Sequence, residues 1–306
     1  MVLWGRISGA PHGLLALSLL LLLLLAIPNA TAESEQVSVL VDHGGEMLHG
    51  NLDLSIVFYG QFGRIQKNAL RAFLKSLNQK APGGAEPSVS SWWHMVSSYT
   101  QNDKDIDVRV VQQYVDPNYA HGKVMTRDFI KILVEKALVG FPHAVPVIVA
   151  ARDVTVEGLC IGRCSEHGDI DGKPYVILGN PETECPGACA WPFHKADYGP
   201  PGPVLKPPSG DVGADAMVIS LASGLASVVS NPFRTGLFLL GHKGTVIEAT
   251  TACPGMFGTG ATPRHTGKLF VDIRTGGAYN AIGFKGKKFL LPALWNPKTQ
   301  SCWTVM

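Results

Sequence analysis

Six cysteines carry the densest chemistry in the chain: Cys160, Cys164, Cys185, Cys189, Cys253 and Cys302. The first four form two Cys-x-x-x-Cys pairs, and His167 and His194 follow them closely. Four thiols and two imidazoles in one segment have the composition of a zinc site. A thiol beside an imidazole, such as Cys189 with His167, is also the pairing that makes a nucleophile. Both readings need free thiols. An even cysteine count behind a leader segment reads instead as three disulfides stapling Gly/Pro-rich loops, with the pairing left open.

Carboxylates offer a second chemistry. Asp211, Asp215, Glu248 and Asp272 lie nearest the apolar elements, and two of them at the right separation would suit glycoside hydrolysis. By position alone they read as caps and turn residues. His43, His49, His94, His121, His143, His242 and His265 stand singly, mostly beside Gly or Pro, and make no ligand spacing. The G-x-S-x-G elbow, the G-x-x-x-x-G-K-[ST] loop and the H-E-x-x-H pair are all absent. Trp92, Trp93, Trp191, Trp295 and Trp303 suit sugar stacking as well as core packing. No catalytic, cofactor or metal residue is assigned from spacing.

The elements that would position these groups are legible from periodicity. Leu52 to Tyr59, Val108 to Val115 and Val145 to Ala150 read as strands. Gln66 to Leu77 and Thr126 to Leu138 carry apolar residues at helical spacing. A short helix capped by Ser90 or Ser91 carries Trp92, Trp93, Val96 and Tyr99. After a Cys/Gly/Pro-rich stretch with one strand at Tyr175 to Leu178, Asp211 to Gly236 is a small-residue apolar helix. Asp215 is the expected N-cap and Asn231-Pro232 the stop. Apolar on all sides, it is the predicted central buried helix. Short strands follow at Thr245 to Thr250, Lys268 to Asp272, Ala278 to Phe284 and Lys288 to Leu291. Alternating strands and helices argue for an α/β fold.

Composition narrows the partners. The 306 residues hold 26 basic and 24 acidic side chains, with no basic cluster, so a nucleic-acid partner is not expected. Only 16% of residues are charged, while Gly (34) and Pro (21) are abundant, the mark of much ordered loop. Arg6, the leucine-rich Leu14 to Ile27 and Ala30-Thr31-Ala32 predict a signal peptide over 1–32. The remaining chain, 33–306, is expected to be one domain without a membrane span. The Asn29-Ala30-Thr31 sequon falls inside the leader.

Several strings resemble the plant phosphate-induced, or EXORDIUM-like, family: Y-G-Q-F at 59–62, P-S-V-S-S-W-W at 87–93 and G-L-C-I-G-R-C-S-E-H-G at 158–168. C-P-G-A-C-A-W-P-F-H at 185–194, G-D-V-G-A-D-A-M-V-I at 210–219 and L-L-P-A-L-W-N-P at 290–297 extend the likeness over the whole mature chain. The resemblance implies secretion to the apoplast or cell wall and a part in brassinosteroid-responsive cell expansion. It brings no catalytic residues.

A second resemblance touches the central helix. Asp-Ala-Met, an apolar helix and an Asn-Pro ending are similar to the active-site helix of some secreted bacterial zincin peptidases, D-A-M-x-x-x-x-S-H-E-L-x-E-x-x-T-D-P. Aligned back from Pro232, a metal-ligand histidine falls on Ser223, the catalytic glutamate on Gly224 and the next ligand on Ser227. None can do that work, so the likeness implies a degenerate zincin-like fold without metal; an unrelated small-residue helix is the other reading. The chain is therefore expected to be a secreted, disulfide-stapled, single α/β domain without cofactor. Its expected partner is a cell-wall glycan or an extracellular protein, and a secreted hydrolase of wall polysaccharide is the alternative.

Overall fold

The computed structural model describes Met1 and residues 39–100, 105–197, 202–240 and 245–306. The rest of the expected signal peptide, its sequon and His242 lie outside the described residues. The chain runs β1 (Leu40–Asp42), β2 (Asn51–Tyr59), α1 (Arg64–Leu77), α2 (Val89–Ser97) and β3 (Asp107–Asp116). It continues through β4 (Val124–Met125), α3 (Arg127–Ala137), β5 (Val145–Ala150), β6 (Thr155–Val156), β7 (Ser165–Ile170) and β8 (Lys173–Gly179). Then come α4 (Pro186–Cys189), α5 (Val212–Ser230), β9 (Leu237–Leu240) and β10 (Val246–Glu248). Six short strands finish it: β11 (Phe270–Val271), β12 (Ala278–Tyr279), β13 (Ala281–Ile282), β14 (Lys288–Phe289), β15 (Leu294–Asn296) and β16 (Ser301–Trp303).

The architecture is the expected mixed α/β one. Its centre is a five-stranded sheet in the order β3-β2-β5-β8-β7. β2 pairs in parallel with β3 and β5, and β5 with β8, while β7 closes an antiparallel hairpin on β8. The V-P-V-I-V-A run of β5 is buried throughout, as a parallel strand covered on both faces must be. Alternate residues of β2 face opposite layers. Leu54, Ile56 and Phe58 pack with α1, α2 and α5, whereas Val57 and Tyr59 pack with Ile130, Leu133 and Val134 of α3.

The central helix is where the sequence places it, with sixteen of its 19 residues buried. By length and composition alone it would suit a membrane, yet its sides are filled by α1 and by β7 and β8. Its cap differs from expectation. Asp211, in extended conformation, accepts from Ala214 N at 2.7 Å, while Asp215 lies inside the first turn and accepts from Ser209. Gly210, at φ +82°, makes the turn that sets the helix start four residues earlier. Similarly, Ser88 rather than Ser90 or Ser91 caps α2, by accepting from Ser91 N.

The zincin-like reading is not supported. Ser223 is half-buried. A Cβ at Gly224 would lie 2.6 Å from Val176 Cγ1, so the position is a packing contact with β8. Ser227 spends its hydroxyl on Thr250, 2.5 Å away. Gly224 is small because β8 presses on the helix there.

All six cysteines are oxidised, as Cys160–Cys185, Cys164–Cys189 and Cys253–Cys302, so neither the zinc nor the nucleophile reading has a thiol. The first two bridges each span 25 residues and tie α4 to the segment entering β7. In the loop-entropy account the first bridge to close such a loop contributes about 3 kcal/mol through the unfolded state, and the second, offset by four residues at each end, adds less.

Gly224→Ala tests the packing of α5. Helix propensity would gain about 1 kcal/mol, but overpacking a rigid core costs about 1–3 kcal/mol, and Val176 is fully buried mid-strand. Net destabilisation by denaturant titration is the expected result.

Candidate functional site

The sheet order reverses beside β2. The chain leaves β2 through α1 and α2 to reach β3 on one side, then crosses back through α3 to β5 on the other. α1 covers one face, whereas the chain after β5, through Val154, Val156 and Leu159, packs with α3 on the other, so the loops after β2 and β5 start side by side and leave toward opposite faces. Ligands of open α/β sheets bind in the crevice that such a switch opens at the carboxyl ends of the strands. Here that crevice has a volume of about 510 Å³ and is lined by Gln61, Phe62, Gly63, Gln66, Tyr119, Arg152 and Asp153.

Three loops meet closely there, and the sequence permits it at Gly60. Its φ is +99°, and a Cβ would lie 2.6 Å from Ala151 Cβ and 2.8 Å from Tyr119 Cε1. Tyr59 pins the loop after β3, donating its hydroxyl to Gly122 O at 2.7 Å and accepting from His121 N at 2.9 Å. Tyr119 is held at φ +55°, a conformation that costs a non-glycine residue on the order of 1 kcal/mol.

Electrostatics fix the crevice wall. Tyr119 Oη donates to Asp153, 3.0 and 2.9 Å from its two oxygens, and Lys123 Nζ donates to Oδ2 at 2.6 Å. The Lys123 ammonium, then the Tyr119 hydroxyl, outweigh partial burial and hold the Asp153 carboxyl below the usual range. Partial desolvation and the Asp153 hydrogen bond push the Tyr119 phenol up. The wall thus presents an ionised carboxylate and a neutral phenol held to each other by hydrogen bonds, an arrangement suited to orienting ligand hydroxyl groups. Arg152 Nη1 lies 4.0 Å from Glu182 Oε2. The positive charges of Lys123 and Arg152 thus balance the negative charges of Asp153 and Glu182.

The residues singled out by sequence scatter over other places. Ser227 joins a buried knot with His167, Asn231, Glu248 and Thr250. His167 Nε2 lies 3.2 Å from Glu248 Oε1 and 3.1 Å from Asn231 O; both are acceptors, so Nε2 carries the hydrogen. Burial pushes the Glu248 carboxyl up, but His167, Ser227 and Asn231 together outweigh it and leave it below the usual range. The knot fastens β7, the end of α5 and β10. Trp92 and Trp93 are core residues whose indole N–H groups donate to Pro292 O and Ile106 O. Trp303 borders a groove of about 650 Å³ along α2.

The loops that build the crevice lie inside a recognisable chain. Residues 40–305 match the family model described as the phosphate-induced protein 1 conserved region. The chain belongs to the phosphate-induced, EXORDIUM-like family. Protein EXORDIUM-like 2 of Arabidopsis thaliana is 42% identical over 287 residues, covering 90% of this chain and 93% of the relative. Protein EXORDIUM of Arabidopsis thaliana is 38% identical, covering 95% of this chain and 97% of the relative. Protein PHOSPHATE-INDUCED 1 of Nicotiana tabacum is also 38% identical, with 90% and 91% covered. No solved structure matches.

In this EXORDIUM-like chain the Y-G-Q-F string gains a physical meaning, because it ends β2, makes the Gly60 contact and lines the crevice. Two of the candidate carboxylates also come together. Asp215 and Asp272 line one cavity of about 360 Å³. Burial pushes the Asp215 carboxyl up to about 7 against the opposing hydrogen bonds from Ser209. The Lys288 ammonium, 2.5 Å away, and Arg274 N bring Asp272 down to about 2. Such a split separates an acid from an ionised partner. Both oxygens of Asp272 are nevertheless engaged, Oδ2 by Lys288 and Oδ1 by Arg274 N.

Asp215 has a consequence for stability. Its folded pKa is raised from 3.8 to about 7, so the folded state holds a proton that the unfolded state releases. Its contribution is complete below the unfolded value and is lost as pH rises through the folded one, a change of roughly 4 kcal/mol. Asp215→Asn keeps an acceptor for Ser209 without the charge. Between about pH 4 and pH 7, denaturant titration is expected to show wild type losing stability relative to this variant by that order.

Proposed function

We propose that this chain is a secreted, growth-related protein of the wall space that acts in brassinosteroid-responsive cell expansion by binding a cell-wall glycan. The observation that carries the binding part is the composition of the switch-point crevice. Phe62 supplies an apolar ring, Gln61 and Gln66 supply amides, and Arg152, Tyr119 and Asp153 supply donors and acceptors around a near-neutral space. A pyranose needs that mixture, an apolar face for its C–H side and directed hydrogen bonds for its hydroxyls. Balanced charge favours an uncharged polysaccharide. The leader segment and the three disulfides support the extracellular setting, and the relatives named EXORDIUM support the growth role.

The hydrolase reading has one observation in its favour, the split between Asp215 and Asp272. With both oxygens of Asp272 engaged, binding without turnover is the better-supported activity.

A glycan array probed with the mature, disulfide-bonded protein tests this. Retention of an uncharged wall polysaccharide is expected, falling about tenfold or more in Phe62→Ala and Arg152→Ala. Retention unchanged in both variants would contradict the proposal, as would capture of a protein in place of any glycan. Release of reducing ends that disappears in Asp215→Asn would establish the hydrolase instead.

A further inference from the structure

The cavity shared by Asp215 and Asp272 lies between α1, the loop before α5 and the turns around β11 and β14. Its charges are not balanced as those of the crevice are. Asp272 and Lys288 neutralise each other within the wall. Arg274 and Lys287 also line the cavity, and neither side chain has an ion pair or hydrogen bond among the described residues. Two cations therefore face one space, and among the described residues neither makes a direct ion pair, Lys287 acting on the Asp215 carboxyl only at longer range. Burial of Asp215, only 3% exposed, raises its carboxyl to about 7 despite the Ser209 hydrogen bonds and the Lys287 ammonium, so below that pH it is mostly neutral and leaves the two cations unanswered.

The rest of the lining speaks of something larger than a bare ion. Ile65, Ala69 and Phe289 give an apolar side, and the exposed Asn68 makes no side-chain hydrogen bond among the described residues. Asp215 accepts from Ser209 N at 2.8 Å and Ser209 Oγ at 2.7 Å through one oxygen, Oδ2. Its other oxygen has no hydrogen bond to the described residues. A buried carboxyl with one end satisfied and the other uncommitted can bond a ligand hydroxyl from the wall of the cavity.

We propose that this cavity is a binding site for a uronic acid, a sugar bearing a carboxylate, distinct from the switch-point crevice. Arg274 and Lys287 take the carboxylate, the guanidinium by paired N–H donors and the ammonium as a point charge. Asn68 and Asp215 take ring hydroxyls, and the Ile65, Ala69 and Phe289 side receives the C–H face of the ring. A volume of about 360 Å³ lies within the usual range for small-ligand pockets. The site would give the protein a grip on acidic wall polysaccharide while the crevice takes an uncharged one. It stands on its own lining and does not require the crevice reading.

Calorimetric titration of the mature protein with galacturonic acid, galactose and inorganic phosphate tests the assignment. Galacturonic acid is expected to bind at least about tenfold more tightly than either of the others. Arg274→Ala with Lys287→Ala is expected to lower that affinity about tenfold or more, with circular dichroism and thermal midpoint unchanged. Arg152→Ala in the crevice should leave it as in wild type, which separates this site from the first. Equal affinity for galactose would remove the role of the two cations. Phosphate binding as tightly would reduce the site to a simple anion hole. Absence of binding at millimolar galacturonic acid, or an undiminished affinity in the folded double variant, would overturn the proposal outright.

Discussion

The close contact of Gly224 with Val176 sets the distance between the central helix and the sheet. At that point α5 presents no side chain, so the strand's own branched residue fills the gap and the backbones approach. The consequences spread outward. α1 packs against the remaining face of α5, and the Ser227, His167 and Glu248 knot closes its carboxyl end. Asp215 is carried into the wall of a cavity at its amino end. An apolar helix 19 residues long would otherwise be a liability in water; here nearly all its surface is spent on packing, worth about 25 cal/mol for each Å² removed from solvent.

The crevice depends on topology more than on any residue. Parallel strands return the chain to the same edge of the sheet, so the loops after β2, β3 and β5 converge. Opposite placement of α1 and α3 keeps the loops after β2 and β5 from covering one another. Gly60 then allows Tyr119 and Ala151 to come within contact. The Tyr119, Asp153 and Lys123 interactions hold that arrangement at fixed charge, which suits recognition better than proton transfer. Asp215, whose carboxyl is raised to about 7, is tied to the start of the core helix.

Much of the fold was legible because its signals are local. The 3.6-residue spacing of Ala69, Leu70, Phe73, Leu74 and Leu77 marks α1, and the V-P-V-I-V-A run marks β5. The disulfides follow from an even count, though their pairing does not. β7 escaped notice because S-E-H-G-D-I is a polar string whose strand character comes from pairing with β8. The α5 cap fell on the wrong aspartate because Asp211 and Asp215 have the same chemistry, and only the turn at Gly210 distinguishes them. The zincin-like alignment rests on Asp-Ala-Met and the Asn-Pro ending alone, and Gly224 between them answers to packing against Val176. The site was harder still. Gln61, Tyr119 and Arg152 stand on three loops and each is ordinary in its own stretch. Y-G-Q-F was visible as a string, but its meaning required the neighbours that meet Gly60. Asp215 and Asp272 both stand out, yet the 56 residues between them hide that they share one cavity.

An uncharged glycan in the switch-point crevice is the binding mode proposed for this chain. Backbone-amide NMR of the mature protein, titrated with an oligosaccharide of the polymer it retains, tests this most directly. The largest shifts are expected at Phe62, Gln66, Tyr119 and Arg152, moving together along one binding curve. Shifts concentrated instead along the Trp303 groove, with those four amides unmoved, would contradict it.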